Sequence, residues 1–114
     1  MKRKLLLVSL LISIGLAWSC SKSEENDPTG DTPGPKFLAA KSVITVSCAL
    51  SGCHVSPSNA GGFNFESNSS IVSAGSQINS QAVDMGTMPP TGALSNADKA
   101  IITGWISAGG RLTD

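Results

Sequence analysis

Seven residues, Cys48-Ala49-Leu50-Ser51-Gly52-Cys53-His54, hold two of the chain's three cysteines and its single histidine. Thiols add to vinyl groups, so two neighbouring cysteines can tether a haem through its two vinyl substituents. A histidine directly after the second thiol then brings an imidazole within reach of the iron. The general attachment spacing is C-x-x-C-H, whereas four residues separate these cysteines, giving C-x4-C-H. The longer loop has to bulge, and Gly52 supplies backbone freedom for that. Cys48 and Cys53 are therefore the candidate haem-attachment residues and His54 the candidate axial ligand. One histidine excludes bis-histidine ligation within one chain. The soft donors left beyond the leader are Met85 and Met88. Met88 precedes Pro89-Pro90, which stiffen the chain and remove backbone donors. A thioether on a rigid loop suits a Met-ligated haem; Met85 is less constrained.

Other chemistries compete for the same residues. Cys48 and Cys53 could instead form a disulfide, which an exported compartment permits. Two cysteines and one histidine give three ligands, and structural zinc takes four. A lone methionine more often fills a core gap than binds a metal, and Trp105 reads as core packing. No nucleophilic triad, paired-carboxylate site or phosphate loop is legible, because the Gly-rich segments lack a strand-then-helix setting.

The elements that must position these residues read mainly as α-helix and loop. Phe37, Ala40, Val43 and Ile44 recur at helical spacing, predicting an amphipathic helix over Lys36 to about Ser47. The β-branched run Val43-Ile44-Thr45-Val46 leaves a strand open as the alternative. Cys48 to Asn64, rich in Gly, Ser and Asn, reads as loop. Ser67 to Ala74 predicts a short helical turn stopped at Gly75, Gln77 to Val83 a weak helix, and Met85 to Gly92 an irregular loop. Ser95 to Ala108 is the clearest helix, with Ser95 as cap and Asp98 at the third helical position. Its expected apolar stripe is Ala97, Ile101, Trp105 and Ala108, flanked by Ile102 and Ile106. Gly109-Gly110 is a natural stop. Gly104 costs about 1 kcal/mol against Ala inside a helix, so it is expected to mark a close approach by another element.

The chain has 114 residues, enough for one small domain. Eight basic and eight acidic side chains balance, which excludes a basic nucleic-acid footprint. The 40% apolar content argues against wholesale disorder. Aromatic residues are only 4%, and a domain this small usually leans on a staple, a metal or a cofactor.

The chain opens with Lys2-Arg3-Lys4 and then thirteen mostly apolar residues, Leu5 to Ala17. That run is shorter than the about 20 residues a membrane span needs and has the layout of a secretory signal. It ends Leu16-Ala17-Trp18-Ser19-Cys20, which resembles a bacterial lipobox. The resemblance implies residues 1–19 as signal peptide and Cys20 as the lipidated mature N-terminus. Removing the leader takes three basic residues and no acidic ones, leaving five against eight and a net charge of −3. Residues 20–35 then form a lipidated, disordered tether rich in Pro, Gly, Ser and acids, and residues 36–114 the domain. The acids Glu24-Glu25-Asn26-Asp27 also resemble surface-export signals of some Gram-negative lipoproteins.

Together the motifs make the domain resemble a small class I cytochrome c of the bacterial lipoprotein type. The resemblance rests on Cys48 to His54, on Gly61-Gly62-Phe63-Asn64-Phe65, on Met88-Pro89-Pro90 through Leu94-Ser95, and on Trp105-Ile106 with Ala108-Gly109-Gly110. It spans about Phe37 to Arg111. It implies a mainly α fold in which the first and last helices cross and loops wrap covalent haem c. By position, Cys53 and His54 match attachment and proximal ligand, Met88 the distal ligand, and Cys48 the second attachment across a longer loop. The function implied is one-electron transfer by a His/Met-ligated monohaem carrier, not an enzyme. Its partners would be redox proteins, and it would sit on the outer membrane by its lipid, facing the periplasm or the cell surface. The alternative is a haem-free exported lipoprotein binding module closed by a Cys48–Cys53 disulfide. A weaker third reading is a haem enzyme or sensor in which Met88 leaves the iron open.

Overall fold

The computed structural model describes residues 31–114. The expected signal peptide and Cys20 lie outside the described residues, as does the tether up to residue 30. Residues 31–34 have no regular secondary structure. The described residues are mainly α-helical, with no strand among them.

Helix α1 runs Pro35–Ser47 with Pro35 at its first position, where a missing N–H costs nothing. Its N-terminus is closed from the far end of the domain. The Asp114 carboxylate accepts from the Lys36 amide at 3.0 Å and the Phe37 amide at 3.2 Å. Gly34 donates to the Leu112 carbonyl at 2.8 Å. Phe37, Ala40, Val43 and Ile44 form the buried face. The β-branched run is therefore helical: Val43 and Ile44 enter the core while Val46 stays 72% exposed. Burial on one helical face overrides local strand preference.

Helix α2, Asn68–Ser73, is capped by the Ser67 hydroxyl, which accepts from the Ser70 amide at 3.2 Å. Buried Asn68 accepts from Lys41 Nζ at 2.7 Å, tying α2 to α1. Helix α3, Gly75–Ile78, passes directly into a wider π-helical stretch, Asn79–Asp84. The expected weak helix over Gln77 to Val83 is thus longer at both ends and changes pitch midway.

Helix α4 spans Asn96–Ser107. Ser95 Oγ accepts from the Asp98 amide at 3.1 Å and donates to Asp98 Oδ2 at 2.7 Å. Such a cap is worth about 1 kcal/mol. At the other end Gly110 donates to the Trp105 carbonyl and Gly109 to the Ile106 carbonyl, at 3.1 and 2.9 Å. This is the paired closure that needs a left-handed residue after the helix, and Gly109 has φ +114°.

Helices α1 and α4 pack together, as the resemblance implied. Phe37 meets Trp105 edge to face, with ring centroids 5.8 Å apart. Trp105 is fully buried, and its indole N–H donates to the Arg111 carbonyl at 2.7 Å. Two expectations about α4 need correction. The inward stripe is Ile102 and Trp105 with Ile106 packed beside them, whereas Ile101 is 37% exposed and Ala97 faces outward. Nor does Gly104 mark a close approach, since a Cβ there would meet nothing within 4 Å. The close approach is at Gly75, where a Cβ would lie 3.2 Å from the Trp105 ring and 3.3 Å from Ile106 Cδ1. The indole therefore rests on the start of α3, and α3 carries part of the site.

Candidate functional site

Cys48 sits at the C-terminal end of α1, its amide donating to the Ile44 carbonyl at 2.8 Å. A rigid helix thus fixes the first thiol of the motif. The loop that follows turns on itself, with Cys53 N–H donating to the Leu50 carbonyl at 2.9 Å and His54 N–H to the Cys48 carbonyl at 3.3 Å. Gly52 takes φ +82° in that turn, a conformation that glycine adopts without steric cost.

His54 is gripped on both sides. Its carbonyl accepts from the Phe65 amide at 2.7 Å. Its ring Nδ1 lies 3.2 Å from the Phe63 carbonyl oxygen. A carbonyl can only accept, so this bond requires the proton on Nδ1, and in the neutral ring Nε2 is then the nitrogen without one. The imidazole also lies against Phe65, with centroids 4.6 Å apart and planes 31° apart. Metal-ligating histidines characteristically hold their second nitrogen in this way.

Met88 is delivered by the π-helical stretch. The Gln81 carbonyl accepts from the amides of Thr87 at 2.9 Å and Met88 at 3.2 Å. The Thr87 hydroxyl adds a bond to Gln81 Oε1 at 2.6 Å. The loop before Pro89 is therefore anchored to the element that carries Gln81 and Ala82.

These pieces meet around one cavity of about 220 Å³. Cys48, His54 and Met88 all line it, with Phe63 and Phe65, with Ala60 and Gly61, and with Gln77, Ile78, Gln81 and Ala82. The lining carries no carboxylate, lysine or arginine. Met88 and Phe63 are 38% and 37% exposed, so the cavity opens to solvent. Met85 is 55% exposed and not among the lining residues, which separates the two methionines that the sequence left as alternatives.

The thiols differ as well. Cys48 is buried and lines the cavity; Cys53 is half-buried and does not. The two are not bonded to each other. Burial, and then the neighbouring Cys53, push the Cys48 thiol above its ordinary pKa of 9.0. Burial disfavours the thiolate, so Cys48 stays a neutral thiol at physiological pH.

The lining brings a thiol, an imidazole and a thioether around one largely apolar space, donor types that suit a haem. No group of three or more His, Cys, Asp and Glu side chains is placed to hold a metal ion among the described residues. A porphyrin-borne iron asks the protein only for axial ligands. No helix among the described residues is long and apolar enough to cross a membrane.

Sequence reasoning missed the cavity wall made by Gln77, Ile78, Gln81 and Ala82. Gln81 and Ala82 sit in the π-helical stretch, where side chains leave the 3.6-residue period, so no spacing rule could place them beside Gln77 and Ile78 of α3. It also missed Glu66, which organises the loop facing His54. Comparison with protein-family models, with curated proteins and with solved structures finds no match.

Proposed function

We propose that this chain is a membrane-tethered monohaem c-type cytochrome that carries single electrons. One observation carries the reading: Cys48, His54 and Met88, forty residues apart at the extremes, line the same apolar cavity. Cys48, on the cavity wall, and Cys53, on the loop beside it, would attach the group, and His54 and Met88 would hold its iron. Bound there, haem would supply an iron that cycles between ferric and ferrous states, and Met/His ligation favours a high reduction potential.

The chain's own residues perform the rest. His54 offers Nε2 because Phe63 holds Nδ1. Met88 is held by the Gln81 carbonyl. Phe65, Ile78 and Ala82 keep water from the interior face. The cavity volume lies below the about 300–1,000 Å³ of pockets that enclose a whole small molecule. A haem would therefore be enclosed only in part, with an edge left at the surface where a partner could approach. With His54 and Met88 both holding the iron, no position would be left for substrate, which supports a carrier over an enzyme.

The leader-like start and Cys20 support a lipid anchor, and hence placement on the outer membrane facing the periplasm or the cell surface. Its partners would then be other redox proteins, with no nucleic acid.

The test is an absorbance spectrum of protein made with haem-maturation machinery, then a haem stain on a denaturing gel. A sharp reduced spectrum with haem surviving denaturation is expected. A colourless protein, where a control cytochrome matures normally, would defeat the proposal. If it also carried a Cys48–Cys53 disulfide, the haem-free binding module would take its place.

A further inference from the structure

His54 takes its acceptor from a segment with no regular secondary structure of its own. Phe63, Asn64 and Phe65 lie between the short 3₁₀ turn Ala60–Gly62 and α2, so something else must hold the Phe63 carbonyl in place. Glu66 is the hub that does so. Its Oε2 accepts from the Ser56 amide at 3.1 Å, from the Ser56 hydroxyl at 2.8 Å and from Asn64 Nδ2 at 2.5 Å. Asn64 Nδ2 also reaches Asn59 Oδ1 at 2.8 Å and Ser56 Oγ at 3.3 Å. Asn64 Oδ1 closes a local turn by accepting from the Glu66 amide at 2.8 Å.

Ser56 lies two residues after His54, and Asn64 directly follows Phe63. One carboxylate oxygen thus ties the arm that carries the imidazole to the arm that carries its acceptor. Asn59, between the arms, sits in the left-handed region at φ +44°, alone among the described non-glycine residues. Asparagine adopts that conformation more readily than other non-glycine residues, and the Asn59 Oδ1 is held by Asn64.

We propose that Glu66 is a positioning residue for His54: its carboxylate, through Ser56 and Asn64, sets the Phe63 carbonyl against Nδ1 and so fixes which imidazole nitrogen carries the proton. The inference rests on the reading of His54 as an iron ligand, but its geometry belongs to the protein alone. Glu66 does not touch the cavity; it acts through the loop.

The test compares the full chain with Glu66→Ala, Glu66→Gln and Ser67→Ala. The last removes the α2 cap beside Glu66 while leaving the carboxylate and its partners in place. Nitrogen-15 spectra of labelled histidine read the His54 tautomer before haem is added. The reduction potential is then read after loading. The wild-type chain is expected to favour the Nδ1–H tautomer of His54. Glu66→Ala is expected to weaken that preference about twofold to tenfold, the range one hydrogen bond supports, and to shift the potential. Glu66→Gln, which keeps one acceptor oxygen, should fall between, and Ser67→Ala should leave both readouts unchanged. An unchanged tautomer in Glu66→Ala, or an equal change in Ser67→Ala, would overturn the proposal. A chain that takes up no haem yet loses the tautomer preference in Glu66→Ala would defeat the haem reading and support the positioning role.

Discussion

Gly75 and Gly104 allow one chemical change to be made twice with opposite results. Gly104 is exposed within α4, and an added methyl meets nothing within 4 Å. Gly104→Ala should therefore recover the helix-propensity difference, about 0.8–1.0 kcal/mol of added stability. Gly75 opens α3 beneath the indole, where the same methyl would press on Trp105 at 3.2 Å and Ile106 at 3.3 Å. Trp105 has little room to yield. It is fully buried, edge-on to Phe37 and hydrogen-bonded to the Arg111 carbonyl. Overpacking of this kind costs about 1–3 kcal/mol. The propensity gain at the first residue of a short helix offsets only part of it, leaving Gly75→Ala destabilised by about 1–2 kcal/mol. For a domain this size, each kcal/mol moves Tm by about 4–8 °C. Urea unfolding followed by far-ultraviolet circular dichroism would measure both variants. Equal signs, or a neutral Gly75→Ala, would refute the placement of the Trp105 ring on α3.

Three further outcomes follow from the site. Iodoacetamide at about pH 8 should modify Cys53 well before Cys48, as read by peptide mass, because Cys48 is buried and its thiol pKa lies above 9.0; equal rates would show the thiols to be equivalent. In haem-loaded protein, Met88→Ala should let the ferrous form bind carbon monoxide while Met85→Ala should not, and the reverse pattern would reassign the distal ligand. Hydrogen bonds from Asn64 and then Ser56 lower the Glu66 pKa below its ordinary 4.5. The clamp's contribution is then complete above the unfolded carboxyl's pKa and lost as pH falls through the lower folded value. Ser56 and Asn64 amide resonances should accordingly titrate with a midpoint below 4.5, and the titration should vanish in Glu66→Gln.

Much of the frame was legible because it depends on local chemistry. Ser95 before an apolar run, Gly109-Gly110 after it and the Phe37 period define helix ends and faces within a few residues of themselves. The α4 stripe was misread because Ile101 and Ile102 are adjacent and equally apolar. Only packing against α1 and the π-helical stretch decides which of them turns inward. Gly104 drew attention as a mid-helix glycine, but the glycine that needs to be one is Gly75, at a boundary where glycine is unremarkable.

The candidate site divides the same way. By itself the sequence determined the inventory: two thiols and the single imidazole within seven residues, a methionine stiffened by two prolines, and a mainly α frame to carry them. These are properties of residue type and short spacing. Only the tertiary structure decided that Met88 rather than Met85 faces Cys48 and His54, because the Gln81 carbonyl that holds the Met88 loop comes from a π-helical stretch with no sequence period. It also decided that the His54 ring is held through Nδ1, since its acceptor is a main-chain carbonyl nine residues away. Side-chain types can be read along a chain. The direction in which a ring or a thioether points depends on backbone groups from other segments, and those meet only when the chain has folded.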